Sequence, residues 1–412
     1  MGKKLAMGVA AIFVLALLFE LDARAQDNRR PNPFGDASAA QATARSATNL
    51  GPAVNTKSSD FGPIISPDGN SLFFTSDRPG GLGGQDVWVS TRKNGIWQPA
   101  KNLGPPINTK GDEGPDSFSI SENALYFTAC DRQFGQGGCD IYVSFQQEKG
   151  WSEPESLGAP VNTKYNEMNA SISSSGDLLI FTSDRPGGQG GADLWMARRG
   201  EVIHKLLPGF SASGRWEEPV NLGPNVNTPD WDGVGFLMPD NETLYFSSRG
   251  RGGAGADIFQ SILRDGKWSV ARNMGDIINT ARDEIYFTLP GSGDLAYFSS
   301  DMGGGRGMED IYSISIPLLI PQARLVILRG KVKDEAGAPV SAQVRVVDPS
   351  TDRVLSETKS DAATGSFNLV FNARRISLQV NDSSHQGYQE TVEIVDDESM
   401  AMLTREIALK AK

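Results

Sequence analysis

One sequence unit, written five times, limits what this chain can fold into more than any other feature. Asn49-Leu50-Gly51-Pro52-Ala53-Val54-Asn55-Thr56 returns as Asn102-Leu103-Gly104 with Asn108-Thr109 and as Ser156-Leu157-Gly158 with Asn162-Thr163. It returns again as Asn221-Leu222-Gly223 with Asn227-Thr228 and as Asn273-Met274-Gly275 with Asn279-Thr280. The starts are 53, 54, 65 and 52 residues apart. A period of this size marks a repeat architecture, in which each unit buries its apolar face against the next.

The interior of the unit also repeats. A turn such as Ser66-Pro67-Asp68-Gly69 leads into Leu72-Phe73-Phe74-Thr75, matched by Leu125–Thr128, Leu179–Thr182, Leu244–Ser247 and Leu295–Phe298. A glycine-rich turn then reaches an aspartate that opens another strand, as in Asp86-Val87-Trp88-Val89. Trp97, Trp151, Trp216 and Trp268 mark a fourth strand. Four short strands in about fifty residues make a propeller blade. The fifth unit has no such Trp, and Ala44 stands six residues before Leu50, where each Trp stands before its own Leu or Met. The segment 44–48 is therefore expected to pair into the last blade and seal a five-bladed ring, with a six-bladed ring as the alternative. Sealing removes an open sheet edge.

Ser66-Pro67-Asp68-Gly69, Phe74-Thr75-Ser76-Asp77-Arg78 and Gly83-Gly84-Gln85-Asp86-Val87-Trp88 resemble the PD40 (WD40-like, TolB-like) propeller repeat. The likeness spans residues 44–317. It implies a fold rather than an activity, since propellers host binding modules and enzymes alike.

Residues 318–324 read as a linker. Beyond it, seven strand-like runs in residues 325–412 predict a β-sandwich. Gly330-Lys331-Val332-Lys333-Asp334, Gly337-Ala338-Pro339-Val340, Thr364-Gly365-Ser366-Phe367 and Gly387-Tyr388 resemble the carboxypeptidase regulatory-like (transthyretin-like) domain. That resemblance implies an accessory module without catalytic groups. The expected fold class is thus all-β, a propeller followed by a seven-stranded sandwich.

At the other end, Lys3 and Lys4 precede an apolar run from Leu5 to Phe19, and Ala23-Arg24-Ala25 offers a signal-peptidase site. Residues 1–25 are expected to be a cleaved signal peptide and 26–43 a tail. The chain has a net charge of −11. Removing residues 1–25, which carry Lys3, Lys4 and Arg24 against Glu20 and Asp22, leaves −12. Such a surface repels nucleic acid and favours basic or neutral partners. Export makes a disulfide between Cys130 and Cys139 the expectation, because they end one strand and begin its antiparallel neighbour.

The sequence has two histidines, His204 and His385, and no Gly-x-Ser-x-Gly. Zinc sites built on several histidines are excluded on that count, and neither His sits in a triad context. The glycine-rich turns join strands and open no helix, so they read as turns rather than phosphate loops. No cofactor, catalytic residue or metal is expected, with calcium on the repeated aspartates as the rival reading.

Two polar patterns remain. The first is a repeated motif of Asp77, Arg78 and Asp86, then Asp131, Arg132 and Asp140, then Asp184, Arg185 and Asp193. Later units keep Arg249 with Asp257, and Asp301 with Asp310. The strand-opening Asp is expected to accept turn amides and pair with the nearby Arg. The second is an acid four residues after each Asn-Thr threonine: Asp60, Glu113, Glu167, Asp232 and Glu284. These lead into the innermost strands and form a candidate binding ring for a cation or a basic peptide, with a blade-locking role as the alternative.

The combined expectation is an exported periplasmic or outer-membrane-associated interaction scaffold, non-enzymatic, receiving an envelope protein or peptide on its top face. Outer-membrane assembly or secretion is the setting that the resemblance implies. A glycan- or peptide-binding propeller and a propeller lyase or hydrolase are the alternatives. The extra residues of the third unit, between Met196 and Trp216, are expected to form an excursion on the opposite face.

Overall fold

The computed structural model describes residues 47–199, 216–315 and 325–412, apart from 67–68, 120–121, 148, 175, 277, 291–294, 372 and 395–399. The expected signal peptide, Ala44, His204, the extra segment of the third unit and the linker lie outside these residues.

Each repeat becomes one antiparallel sheet. In blade 1 the innermost strand is Asp60–Ile65, followed by Ser71–Ser76 and Asp86–Lys93, with the outer edge formed by Ile96–Trp97 and Lys101–Asn102. The innermost strands of blades 2 to 5 are Asp112–Ser119, Glu167–Ile172, Asp232–Leu237 and Glu284–Thr288. Each touches the next, and the last touches the first, so five blades close a ring. The outer strand of blade 5 is Thr48–Asn49, with Thr48 opposite Ser313 and Asn49 opposite Tyr312. The expected N-terminal seal is therefore present, and the six-bladed alternative falls away.

The apolar repeats explain why the ring coheres. The second strand of each blade is enclosed on both faces, which is why it reads as a continuous apolar run rather than an alternation. Every core of the ring straddles two blades. Ile64, Phe73 and Val87 of blade 1 meet Leu125, Phe127 and Tyr142 of blade 2. The same arrangement joins blades 2 and 3, 3 and 4, and 4 and 5. Val54, Leu72, Phe74 and Trp88 of blade 1 close the circle against Tyr297 and Ile311 of blade 5.

A polar clasp accompanies each core. The asparagine of every Asn-Thr pair grips the preceding blade through both backbone groups of one residue. Asn55 accepts from the Ile311 amide and donates to its carbonyl; Asn108 does so at Val87, Asn162 at Ile141, Asn227 at Leu194 and Asn279 at Ile258. All ten bonds are 2.8–3.0 Å long. Glycine is required beside the clasp. A Cβ at Gly83 would lie 2.1 Å from the Gly111 carbonyl of the next blade, and one at Gly137 would lie 1.7 Å from the Tyr165 carbonyl.

Residues 325–412 form two facing sheets around one separate core. Ser366–Phe371, Leu325–Asp334 and Met400–Leu409 make a three-stranded sheet whose last pair is parallel. Val354–Lys359, Gln343–Val347, Arg375–Asn381 and Tyr388–Glu393 make the four-stranded one. Inward residues of both, among them Leu328, Val346, Leu369 and Leu378, share the core.

In blade 2, Cys130 stands directly opposite Cys139 and the two are joined by a disulfide.

Asn55 clasps the junction where the chain ends meet, so it tests whether closure limits stability. Asn55→Ala removes two buried hydrogen bonds and strands the Ile311 amide, while the Ile311 carbonyl keeps its bond from the Leu50 amide. It is expected to cost about 2–3 kcal/mol, read as a lower urea midpoint with an unchanged slope.

Candidate functional site

The five repeated acids do not line an opening. Asp60, Glu113, Glu167, Asp232 and Glu284 are all buried. Each carboxylate folds back on its own Asn-Thr turn and accepts both the threonine amide and the threonine hydroxyl, as Glu167 does from Thr163 at 2.6 and 2.8 Å. Ser76, Ser183 and Ser300 donate to Asp60, Glu167 and Glu284 from the neighbouring strand. Burial pushes the Glu113, Asp232 and Glu284 carboxyls up from their ordinary range, and the threonine bonds oppose that shift. These acids hold the turn that carries the asparagine clasp. The geometry thus gives them a blade-locking part and presents none of them to a ligand.

The repeated arginine serves the same acid. Arg78 pairs with Asp60, Arg185 with Glu167 at 3.1 Å, and Arg132 lies 3.8 Å from Glu113. Each guanidinium also donates to carbonyls of the Pro/Ala-Val/Ile segment before the asparagine. Arg78 stacks between Phe74 and Trp88, and Arg185 between Phe181 and Trp195. The expected pairing of arginine with the strand-opening aspartate is therefore corrected. Asp86 accepts instead from the Leu82 amide, Asp140 from Gln136, Asp193 from Gln189 and Asp310 from Arg306, while Asp257 accepts from the Asn273 side chain. The first-slot residues Asp77, Asp184 and Asp301 accept backbone amides from just before the strand acid. Asp131 is exposed, with φ at 54°.

Blade 4 departs from the motif. Arg249 is half exposed and pairs with Asp283 at 2.6 Å. Arg251 fills the stacked position, over Phe246 and Phe259 with bonds to the Asn225 and Val226 carbonyls. The blade 4 turn runs Gly250-Arg251-Gly252-Gly253, which displaces the arginine by two positions. Blade 5 has Met302 in that slot, packed against the apolar core instead.

A site the repeat comparison did not single out lies on the ring axis. The innermost strands bulge where they face the axis. Two residues after the acid, the backbone takes a positive φ in four blades: Gly62 at 61°, Asn169 at 55°, Val234 at 52° and Tyr286 at 62°. Blade 2 has Pro115 there, whose ring forbids that conformation, and its next residue is Asp116. The bulges border a half-open cavity of about 30 Å³ lined by residues of all five blades, including Asp116, Asn169, Val234 and Tyr286.

Asp116 is surrounded by protein yet keeps part of its surface open to this cavity. Thr128 donates to its two oxygens at 3.0 and 2.9 Å. Burial raises its carboxyl to about 7, against opposing bonds from the Ala170 amide, the Thr128 hydroxyl and the Asn169 amide. Tyr286 is raised by burial and by the carboxylates of Glu309 and Asp116, and bonds to Asn169. The sequence signal was available: an aspartate beside a proline inside a buried strand.

The rim presents a different chemistry. The glycine-rich loops of blades 1, 2 and 5, consecutive in the closed ring, expose Leu82 (49%), Phe134 (88%) and Met308 (75%). Beside Met308, burial raises Glu309, and the carboxylates of Asp301, Asp283 and Asp77 raise it further. His385 bonds Asp382 in the sandwich. Among the described residues, no three His, Cys, Asp or Glu side chains converge as a metal site.

No family model matches the chain, and no curated protein matches it. Among solved structures, an alpha-L-arabinofuranosidase from Lactobacillus brevis is 13% identical, covering 71% of this chain and 95% of its own, with a TM-score of 0.43. A putative TolB from Agrobacterium tumefaciens is 15% identical, covering 76% and 90%, with a TM-score of 0.36. A GH43_12 protein retrieved from a capybara gut metagenome is 12% identical, covering 90% and 85%, with a TM-score of 0.41. These are likenesses of fold; the strand pairing itself defines the ring.

Two outcomes follow. Glu113→Gln with Glu167→Gln is expected to lower unfolding free energy by on the order of 2–4 kcal/mol, because each leaves a buried guanidinium without its counter-charge; calorimetry reads this as a lower Tm. Asp116→Asn should act in the other direction, and only at higher pH. The Asp116 carboxyl is raised in the fold, so the folded state holds a proton that the unfolded state releases between about pH 4 and 7. Its cost to stability is absent below that window and complete above it. The variant is expected to gain up to about 4 kcal/mol over wild type at pH 8, and nothing from the lost charge at pH 4.

Proposed function

We propose that this chain is an exported, non-enzymatic propeller that holds an envelope protein or peptide on the rim formed by its glycine-rich loops. The carrying observation is the exposure of Leu82, Phe134 and Met308 on equivalent loops of three consecutive blades. In blades 3 and 4 those loops carry glycine, alanine, polar residues and Pro186, so large apolar side chains are not demanded by the turn. Apolar groups grouped on one face are a mark of an interaction surface. The neighbouring carboxylates of Glu309 and Asp77 suit a partner that brings basic side chains beside its apolar ones.

Three further features support this reading. The repeat motif resembles the PD40 propellers of envelope proteins, and the C-terminal sandwich resembles accessory carboxypeptidase regulatory-like domains. The Cys130–Cys139 disulfide suits an oxidising compartment. The repeated acids, which a hydrolase or lyase reading would recruit, are already committed to their turns.

The rim can be tested without disturbing the blades. Leu82→Ser, Phe134→Ser and Met308→Ser together are expected to leave Tm within about a degree, since surface changes of this kind cost little. In envelopes crosslinked in the producing cell, the wild-type chain is expected to retain a partner that the triple variant loses by tenfold or more. Equal recovery by both chains would exclude the rim as the docking face.

A further inference from the structure

We propose that the axial cavity is a binding site for a primary ammonium group, with Asp116 as its counter-charge and the Tyr286 and Phe236 rings as its apolar walls. The inference is independent of the rim, because no rim loop contributes to the cavity lining.

The lining is chemically one-sided. Among the described residues, Asp116 is the one ionisable acid or base in it apart from the Tyr286 phenol, and no lysine, arginine or histidine lines it. Thr128 and the amides of Asn169 and Ala170 satisfy part of the carboxylate. An ionised carboxylate accepts about four hydrogen bonds, and its open side faces the cavity. A bare charge enclosed in this way is costly unless a cation meets it. Three of the strand acids differ from Asp116, since Asp60, Glu113 and Glu167 each have an arginine within the blade.

The walls select the kind of cation. Phe236, Tyr286 and Phe287 line the same space, and aromatic faces attract ammonium groups through the ring quadrupole. A divalent metal ion would need six or more oxygen ligands for calcium, or near-octahedral ones for magnesium. One carboxylate among aromatic rings does not supply that set. An –NH₃⁺ head can donate hydrogen bonds to the carboxylate oxygens, which a quaternary ammonium cannot.

The backbone around the cavity is strained. Val234 and Tyr286 hold φ at 52° and 62°, a region that side chains of their shape rarely occupy. Residues in such conformations cost on the order of 1–3 kcal/mol each, and they gather where a site is held in shape. Both belong to this lining, and Val234 is fixed there by its amide bond to the Thr182 hydroxyl at 3.0 Å.

Proton and ammonium compete for Asp116. The titratable group facing it is Tyr286, which in turn faces Glu309; burial raises the Tyr286 phenol, so it stays protonated. Binding is expected to strengthen up to tenfold per pH unit from pH 5 to about 7 and then level, following the Asp116 carboxyl.

Titration calorimetry of the intact protein with n-butylammonium chloride, against equal sodium chloride and tetramethylammonium chloride, decides the matter. The expected result is saturable binding of n-butylammonium alone, with that pH profile, weakened at least tenfold in Asp116→Asn and severalfold in Phe236→Leu. Absence of saturable binding at pH 8 would overturn the proposal. So would equal affinity at pH 5 and pH 8 in the wild type, a readout that needs no variant to fold. Binding of sodium as strong as that of n-butylammonium overturns it as well. Two arms separate the sources of the amine. Binding of acetyl-lysine amide beside n-butylammonium supports a lysine presented by a partner, and binding of n-butylammonium alone supports a free small amine.

Discussion

The ring depends on an asparagine that reads another blade's backbone. A propeller blade cannot bury both its faces alone, so its stability lies at its junctions with neighbours. Apolar side chains supply most of the attraction there, but they do not by themselves fix how one sheet sits on the next. The Asn55, Asn108, Asn162, Asn227 and Asn279 amides do so, each satisfying both peptide groups of one residue in the preceding blade. A buried peptide group without a partner is expensive. The register between blades is therefore set by five pairs of bonds that fail together if a blade shifts.

The charged residues of the repeat serve this clasp in layers. The strand acid holds the threonine beside the asparagine. In blades 1 to 3 the arginine neutralises the acid and caps the carbonyls on the asparagine's other side, while aromatic rings of its own blade flank it. The strand-opening aspartate shapes the glycine turn that must pass close to the next blade, where Gly83 and Gly137 leave no room for a side chain. What looks in sequence like a display of carboxylates is a buried support for one turn. Charge that is buried and paired in this way specifies an arrangement more than it adds stability.

The axis and the rim are the places where the ring does not use its own side chains. Asp116 has bonds from Thr128 and two amides but no cation, in contrast to the arginine-paired acids. Leu82, Phe134 and Met308 sit on loops whose shape does not call for them. Both sites arise from departures between units, and a propeller built from near-identical blades can carry an asymmetric function only through such departures.

The repeat period, the turn motifs and the continuous apolar runs settled the fold: five four-stranded units, an N-terminal strand completing the last, and seven further strands in a sandwich. The facing positions of Cys130 and Cys139 followed from the same register. Those features are local or periodic, and periodicity survives in a single sequence. The direction in which each polar side chain points is not local. Asp60 and its equivalents turn inward because the threonine amide lies there, joined in blades 1 to 3 by an arginine, and Arg251 replaces Arg249 because one turn has a different glycine spacing. Asp116 faces the axis because five bulged strands converge on it, a placement set by closure of the whole ring. The sequence determined the ring and its joints; only the tertiary structure decided which carboxylates fold back on their own turns and which one lines the axial cavity, because that depends on neighbours supplied by other blades.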